Sequence, residues 1–248
     1  MCKVRFCDSS FKILTKLNEK SILKHLELCG RECYQSGAKT TKDSCYSFVK
    51  RLIDNSEGSV LEHSSFSVKF ICTRSLSHQL VRHRLCAFSE QSQRYCNYAT
   101  KVPIYFIIPL WIPENDREFL LNYTVDSSIR FTDLPDLSED TLNWLELVLD
   151  SVKTYNRLIK IGLKPQEARA VLPNSTKTAI VCTTNIREWR HILKLRTSKR
   201  ADPEIKELMG LLLKELKAQL PVLFNDIGEE KWNKLNFFGI QNHFFKIK

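Results

Sequence analysis

The length, composition and charge of the chain limit what it can be. At 248 residues with 43% hydrophobic content, the chain can bury a sizeable core and lies near the upper limit of one domain, so we expect a single compact domain over 1–248. No apolar run approaches the roughly 18 residues that span a bilayer, and the N-terminus lacks the apolar stretch of a signal peptide. We therefore expect a cytoplasmic protein without a membrane partner.

The positive charge is concentrated in one part of the chain. The formal net charge is +10, and residues 151–200 hold twelve Lys and Arg against two Glu. This concentration favours anionic ligands, either nucleic acid or small molecules that carry phosphates, and charge alone does not choose between them.

The cysteines do not form a metal-binding or disulfide pattern. There are nine, an odd number, with no Cys-x-x-Cys pair and no His-x-x-x-His partner. We therefore expect neither a zinc site nor a disulfide framework. Cys72 and Cys182 follow apolar residues, where a thiol acts as a small hydrophobe, and a catalytic thiol remains an alternative.

The first hundred residues contain several periodic segments. Alternation at 66, 68, 70 and 72 predicts the clearest strand, and apolar residues at 80, 81, 85 and 88 predict one face of a helix over 77–88. Residues 89–96 are rich in hydroxyl and amide groups, which predicts a loop. Further predictions are a strand at 2–7 and helices at 19–35 and 41–54.

The rest of the chain is dominated by predicted helices. Ser138 suits the N-cap of a long amphipathic helix, which Gly162 and Pro165 close, and Asp202-Pro203 begins another helix. Other predictions are an irregular insert at 113–136 with a helix at 114–123, an edge strand at 102–109, a short helix at 167–173, a strand at 178–184, and a helix that ends at Arg196. Strands mixed with long helices predict an α+β fold with an antiparallel sheet. The chain has no Gly-x-Gly-x-x-Gly sequence, so we expect no Rossmann motif.

One cationic segment points to a binding site. Arg82-His83-Arg84 is followed after seven residues by Ser92 and then by Arg94. Two guanidinium groups and an imidazole at one helix end favour anions opposite them, and the loop that follows offers hydrogen-bond donors. The pattern predicts a pocket for a phosphorylated ligand, whereas the simpler alternative is a solvated basic helix.

This spacing resembles the signature of the flavin-dependent thymidylate synthase family, whose members methylate dUMP using bound FAD. Two further stretches are similar to that family, Ala-Arg-x-x-Leu-Pro at 168–173 and the segment at 185–205. The loop before the strand at 66–72 also places Ser59, Glu62 and His63 as the family does. Residues 97–137 form an unmatched insert.

The resemblance implies the activity, the cofactors and the assembly. It implies reductive methylation of dUMP to dTMP, with methylenetetrahydrofolate as the one-carbon donor and NADPH as the reductant of FAD. Protein side chains cannot deliver hydride, which is why a flavin is needed. It also implies the family's own fold without a Rossmann motif, and a homotetramer whose active sites are shared between subunits.

The resemblance also assigns site residues. It implies that FAD contacts Ser59, Arg82, His83, Arg84, Glu90, Asn185, Ile186, Arg187 and His191. It implies that the nucleotide contacts Gln79, Leu80, Val81, Arg82, Glu90, Gln91, Ser92, Gln93, Arg94, Arg169 and Arg196. Arg196 is the implied catalytic residue, because a guanidinium near N3 of the uracil stabilises the anion that makes C5 nucleophilic. No metal ligand is implied.

Several alternatives stay open. Ser92 would be a nucleophile only with a base to activate it, and hydrogen bonding is its simpler role. The run from Thr197 to Ile205 departs from the family pattern, which puts contacts made there to flavin or folate in doubt. The other function classes are a nucleic-acid-binding module without catalytic activity, favoured by the basic 151–200 segment, and a cofactor-free methyltransferase that uses a cysteine.

Overall fold

A computed structural model of the protein describes residues 3–100, 103–122, 124–126 and 136–228. The strands are β1 (Lys3–Cys7), β2 (Ser10–Ile13), β3 (Ser65–Thr73), β4 (Ala87–Glu90), β5 (Ile104–Ile107), β6 (Val125–Asp126) and β7 (Lys177–Asn185). The helices are α1 (Glu19–Glu32), α2 (Ser44–Asp54), α3 (Arg74–Leu80), α4 (Glu114–Asn122), α5 (Glu139–Lys160), α6 (Pro165–Ala168), α7 (Ile186–Arg196), α8 (Pro203–Gln219) and α9 (Pro221–Phe224). Short 3-10 turns cover Gly37–Lys39, Gly58–His63 and Arg169–Val171. The mixture of helices with an antiparallel sheet confirms the α+β class.

A four-stranded antiparallel sheet in the order β2-β3-β7-β4 is the base of the larger hydrophobic core. The predicted alternation in β3 is confirmed, because Phe66, Val68, Phe70 and Cys72 are all 3% exposed or less. Side chains alternate along a strand, so these four residues share the face that the helices cover. The sheet therefore turns one face towards the core. Strands β3 and β7, which pair at its centre, lie far apart in the sequence.

Helices α1, α2, α7, α8 and α9 pack around this core face. Trp189 of α7 is fully buried, stacks on Phe66 at a ring-centroid distance of 5.0 Å, and donates its indole N–H to the Phe66 carbonyl oxygen at 3.1 Å. Replacing a buried Trp by Ala typically costs about 3–5 kcal/mol. This contact fixes α7 against the sheet and so orients the polar side of that helix.

A second hydrophobic cluster joins β1 and β5 to α4 and α5. The predicted N-cap of α5 is confirmed, since the Ser138 hydroxyl oxygen accepts a hydrogen bond from the Thr141 amide. The hydroxyl groups of Ser138 and Thr141 also donate to the carboxylate of the buried Asp116 in α4, each at 2.6 Å. At the other end of α5, Gly162 has a φ of +102°, a conformation that glycine adopts without the steric cost of a Cβ.

The described part of the predicted insert is more regular than expected. Residues 104–107 form β5, an edge strand of the three-stranded sheet β5-β1-β6, as the prolines predicted, and α4 covers 114–122. Within the predicted strand at 2–7, the predicted edge strand and the predicted insert, residues 2, 101–102, 123 and 127–135 lie outside the described residues. None of the helices in the described ranges has both the length and the apolar content needed to cross a bilayer.

The predicted helix over 77–88 is wrong beyond its first turn. Helix α3 ends at Leu80, and Ala87–Glu90 form β4, which pairs with β7. Val81 is 38% exposed and Leu85 is 76% exposed, so they do not continue the buried face of Leu80. Pairing with β7 supplies backbone hydrogen bonds to 87–90, and this tertiary interaction overrides the local helical spacing.

Candidate active site

The turn after α3 separates the three residues of the Arg82-His83-Arg84 segment. His83 is buried at 6% exposure, whereas Arg82 and Arg84 are exposed. The turn is closed by hydrogen bonds from the His83 amide to the Leu80 carbonyl and from the Cys86 amide to the His83 carbonyl. The segment therefore presents two guanidinium groups outward and an imidazole inward, and it is not the solvated helix of the simpler alternative.

Arg196 meets His83 from the far end of α7. Its Nε donates to Nε2 of His83 at 3.0 Å, and its Nη2 donates to the backbone carbonyl of Gln79 at 3.0 Å. Burial lowers the pKa of the Arg196 guanidinium, and the Asp202 charge opposes that effect. The hydrogen bonds join two segments that are more than a hundred residues apart in the sequence, both of which the resemblance assigned to one site.

The other nitrogen of His83 faces a buried carboxylate. Nδ1 lies 3.5 Å from Oε1 of Glu188, and the ring of His191 packs edge-on at a centroid distance of 6.0 Å. Burial first, and then the charges of Arg196 and His191, lower the pKa of His83 from 6.5 to about 4. His83 is therefore neutral near pH 7, as required of a group that accepts a hydrogen bond from a guanidinium.

His83, Glu188 and His191 also have the composition of a metal site. One ligand atom from each lies within 4.8 Å of the others. However, Nε2 of His83 accepts from Arg196, which assigns the ring proton to Nδ1, the nitrogen nearest Glu188. A protonated nitrogen has no lone pair for a metal ion. The hydrogen bonds thus favour a polar chain over metal ligation.

The start of α7 forms a second polar group. The Asn185 side chain caps the helix by accepting from the Glu188 amide, and Arg187 forms an ion pair with Glu62 at 2.5 Å. A Cβ at Gly58 would lie 3.1 Å from Nε of Arg187, so the glycine allows the close approach of this side chain to the loop that carries Ser59. Arg187 and Glu62 therefore meet beside the turn that carries Ser59, and Ser59 and Arg187 are exposed.

The loop after β4 is anchored by residues that sequence reasoning missed. Glu90 accepts hydrogen bonds from Arg74 at 2.7 Å and from the Thr178 hydroxyl at 2.9 Å. Gln91 accepts from Lys177 at 3.2 Å, and burial lowers the pKa of that lysine. These partners belong to α3 and β7, and no local pattern in the sequence signals the pairing.

Ser92 and Arg94 lie further along the same loop. The Ser92 hydroxyl oxygen accepts from the backbone amide of Arg94 at 3.2 Å, and the Arg94 side chain is exposed. A hydroxyl used in this way fits the hydrogen-bonding role expected for Ser92. It does not resemble a nucleophile activated by a neighbouring base.

Some predicted site residues do not contact the polar residues around His83 and Arg196. The side chains of Leu80 and Ile186 are fully buried in the larger core, which leaves only their backbone atoms for a ligand. Arg169 is exposed on the turn after α6, and its side chain makes no hydrogen bond or ion pair within the described ranges. A cavity of about 350 Å³ lies between Trp111, Arg117 and the start of α8, and none of its lining residues is a predicted site residue.

Comparison with known proteins identifies the family. A family model described as "Thymidylate synthase complementing protein" matches residues 15–222. A protein named flavin-dependent thymidylate synthase from Mycolicibacterium gilvum (strain PYR-GCK) is 36% identical over 212 residues, which cover 81% of this chain and 78% of that protein. Proteins of the same name from Mycobacterium sp. (strain KMS) and Mycobacterium tuberculosis (strain ATCC 25177 / H37Ra) are 35% and 34% identical, with the same coverage. Matches of this extent show that the chain belongs to the flavin-dependent thymidylate synthase family.

Proposed function

We propose that the chain is a flavin-dependent thymidylate synthase, which converts dUMP to dTMP with methylenetetrahydrofolate as the one-carbon donor and FAD reduced by NADPH. The observation that carries the proposal is the hydrogen bond of 3.0 Å between Arg196 and His83. It joins the cationic turn, expected to bind flavin, to the arginine expected to act on the uracil. We also propose that residues 1–248 form one domain with the fold of this family and without a Rossmann motif.

The donors on the surface suit the charged parts of FAD. Arg82, Arg84 and Arg187 expose guanidinium groups, which form bidentate hydrogen bonds with phosphate oxygens. Asn185 and His191 lie at the cap and in the body of α7, Ser59 lies on the 3-10 turn Gly58–His63, and they add amide, imidazole and hydroxyl groups. When bound, FAD supplies the hydride that completes the methyl group. The chain's own residues bind and orient the cofactor.

The nucleotide side of the site would use the loop from Glu90 to Arg94, together with Gln79 and Arg169. Its cationic and amide groups match a phosphate and the edge of a uracil ring. Arg196 is partly buried, and its Nη1 amino group makes no hydrogen bond to the described residues. That amino group is available to stabilise negative charge at N3 of the uracil, which raises the nucleophilicity of C5.

A second copy of the chain would close the site. In one chain Arg82, Arg84 and Arg94 are exposed, and the apolar residues Val81, Leu85 and Tyr95 beside them are 38%, 76% and 75% exposed. Exposed apolar side chains next to binding residues favour a surface that another protein covers. This supports the homotetramer with shared sites that the family resemblance implies.

The absorbance spectrum of the purified protein tests the proposal. We expect flavin bands between about 350 and 500 nm, and FAD in the supernatant after acid denaturation. A protein that stays colourless after incubation with FAD would contradict the proposal. If it also bound long polyanions with a steep salt dependence, the nucleic-acid-binding alternative would replace it.

A further inference from the structure

Glu188 is a buried carboxylate that no expectation from the sequence used. It lies in the first turn of α7, and its side chain is 10% exposed. Acidic residues in this position commonly interact with the positive end of the helix dipole at the surface. Burial of a carboxylate is costly unless a partner compensates for it, and the partner here is Nδ1 of His83 at 3.5 Å.

We propose that Glu188 is a positioning residue for Arg196 and that it acts through the ring of His83. The inference rests on the proposed function, since it concerns the residue expected to polarise the uracil. It adds a third member to the polar chain that runs from the start of α7, through the turn after α3, to the end of α7.

The polar chain of Glu188, His83 and Arg196 works by fixing the tautomer of the His83 ring. A carboxylate 3.5 Å from Nδ1 repels a lone pair on that nitrogen and favours the form with hydrogen on Nδ1. In that form Nε2 carries a lone pair, which accepts from Nε of Arg196 at 3.0 Å. In the other tautomer, two donors would face each other at this distance, and the guanidinium would move away.

The remaining contact of Arg196 shows why this matters. Its Nη2 donates to the Gln79 carbonyl at 3.0 Å, so the guanidinium is held at two points. Two hydrogen bonds fix the plane of the guanidinium, whereas a single hydrogen bond leaves the group free to rotate about it. Loss of the His83 bond would therefore reduce the orientation of the free amino group without removing its charge.

A double-mutant cycle tests the inference. We expect Glu188→Ala to lower dTMP formation about tenfold, equivalent to about 1.4 kcal/mol, with flavin content and flavin reduction by NADPH within about twofold of wild type. In an Arg196→Ala background, adding Glu188→Ala should lower the rate by less than about twofold, because the arginine through which it acts is gone. Asp116→Ala is the matched control, since it removes a buried first-turn carboxylate from α4 and should lower stability while the rate is kept.

Two results would overturn the inference. One is a wild-type rate in Glu188→Ala, and the other is an equal loss in the wild-type and Arg196→Ala backgrounds, which indicates a general structural role. If the Ala variant does not fold, Glu188→Met fills a similar volume without a strong acceptor for Nδ1, and a wild-type rate in that variant has the same meaning. A wild-type protein that makes no dTMP refutes the proposed function and this inference with it, whereas an active wild type with an unaffected Glu188→Ala refutes the inference alone.

Discussion

Replacement of Arg196 by Ala is the most informative single change. The structure gives this partly buried side chain two hydrogen bonds, to His83 and to the Gln79 carbonyl, and its Nη1 amino group makes none to the residues that the structure describes. The bonds run to the last turn of α3 and to the turn that follows it, so Arg196 does not simply cap its own helix. If its charge stabilises the ionised uracil, the variant should fold, bind FAD and oxidise NADPH, and it should fail mainly at methylation.

The expected loss follows from the environment of the guanidinium. A charge-assisted contact made in the transition state, in a site partly shielded from water, contributes about 2–4 kcal/mol. This corresponds to a fall in dTMP formation of about 30-fold to nearly 1000-fold. The ground-state bonds to His83 and Gln79 add a stability cost of about 1–3 kcal/mol, which must be measured separately. Arg196→Lys should recover only part of the rate, because an ammonium lacks the planar fork.

Three measurements on each variant separate these effects: flavin content by absorbance, flavin reduction by NADPH, and dTMP formation. Arg190→Ala is the matched control on the same helix. Its buried guanidinium pairs with Asp226 at 2.6 Å, away from the site, so this variant should lose stability and keep dTMP formation per bound flavin. An equal loss of flavin reduction and methylation in Arg196→Ala would refute the assignment, and so would a near-normal rate.

Three further predictions concern His83 and the thiols. His83→Ala should lower flavin occupancy or slow flavin reduction while the circular dichroism spectrum is unchanged, and wild-type values for both would contradict the role of the Arg82–Arg84 turn. No cysteine should be essential; Cys86→Ser is the sharpest case, because a hydrogen bond from Cys182 lowers the pKa of Cys86, and a soluble, flavin-loaded variant without turnover would refute the prediction. Finally, an unfolded His83 takes up a proton near pH 6.5 and the folded one only near pH 4, so stability falls as the pH falls through that window. Between pH 7 and pH 5 the flavin-free protein should lose about 2 kcal/mol more than His83→Gln in urea unfolding, and equal losses would contradict the buried neutral imidazole.

The elements that the sequence predicted well are those determined by local interactions. Strand β3 has strict alternation, α8 is capped by Asp202 and begins at Pro203, and α5 is capped by Ser138, so each carries its own signal in neighbouring residues. The turn that carries Arg82–Arg84 was predicted wrongly as helix, because the apolar residues at 80, 81, 85 and 88 have helical spacing by coincidence. The strand at 87–90 forms only because β7, about ninety residues away, pairs with it.

The site shows the same division. The resemblance named His83 and Arg196, but their contact, and the position of Glu188 on the other side of His83, required the packing of α7 against the turn after α3. Glu188 alone looks like an ordinary acidic residue at a helix start. Likewise, the anchoring of Glu90 by Arg74 and Thr178 depends on sheet register, which no spacing in the sequence encodes.

The most direct test of the central claim is the conversion of dUMP to dTMP by the purified chain, with methylenetetrahydrofolate and NADPH, before and after the flavin is removed. We expect dTMP from the FAD-loaded protein, none from the flavin-free protein, and recovery when FAD is added back. Formation of dTMP that does not depend on flavin, or no dTMP from fully loaded protein, would contradict the account.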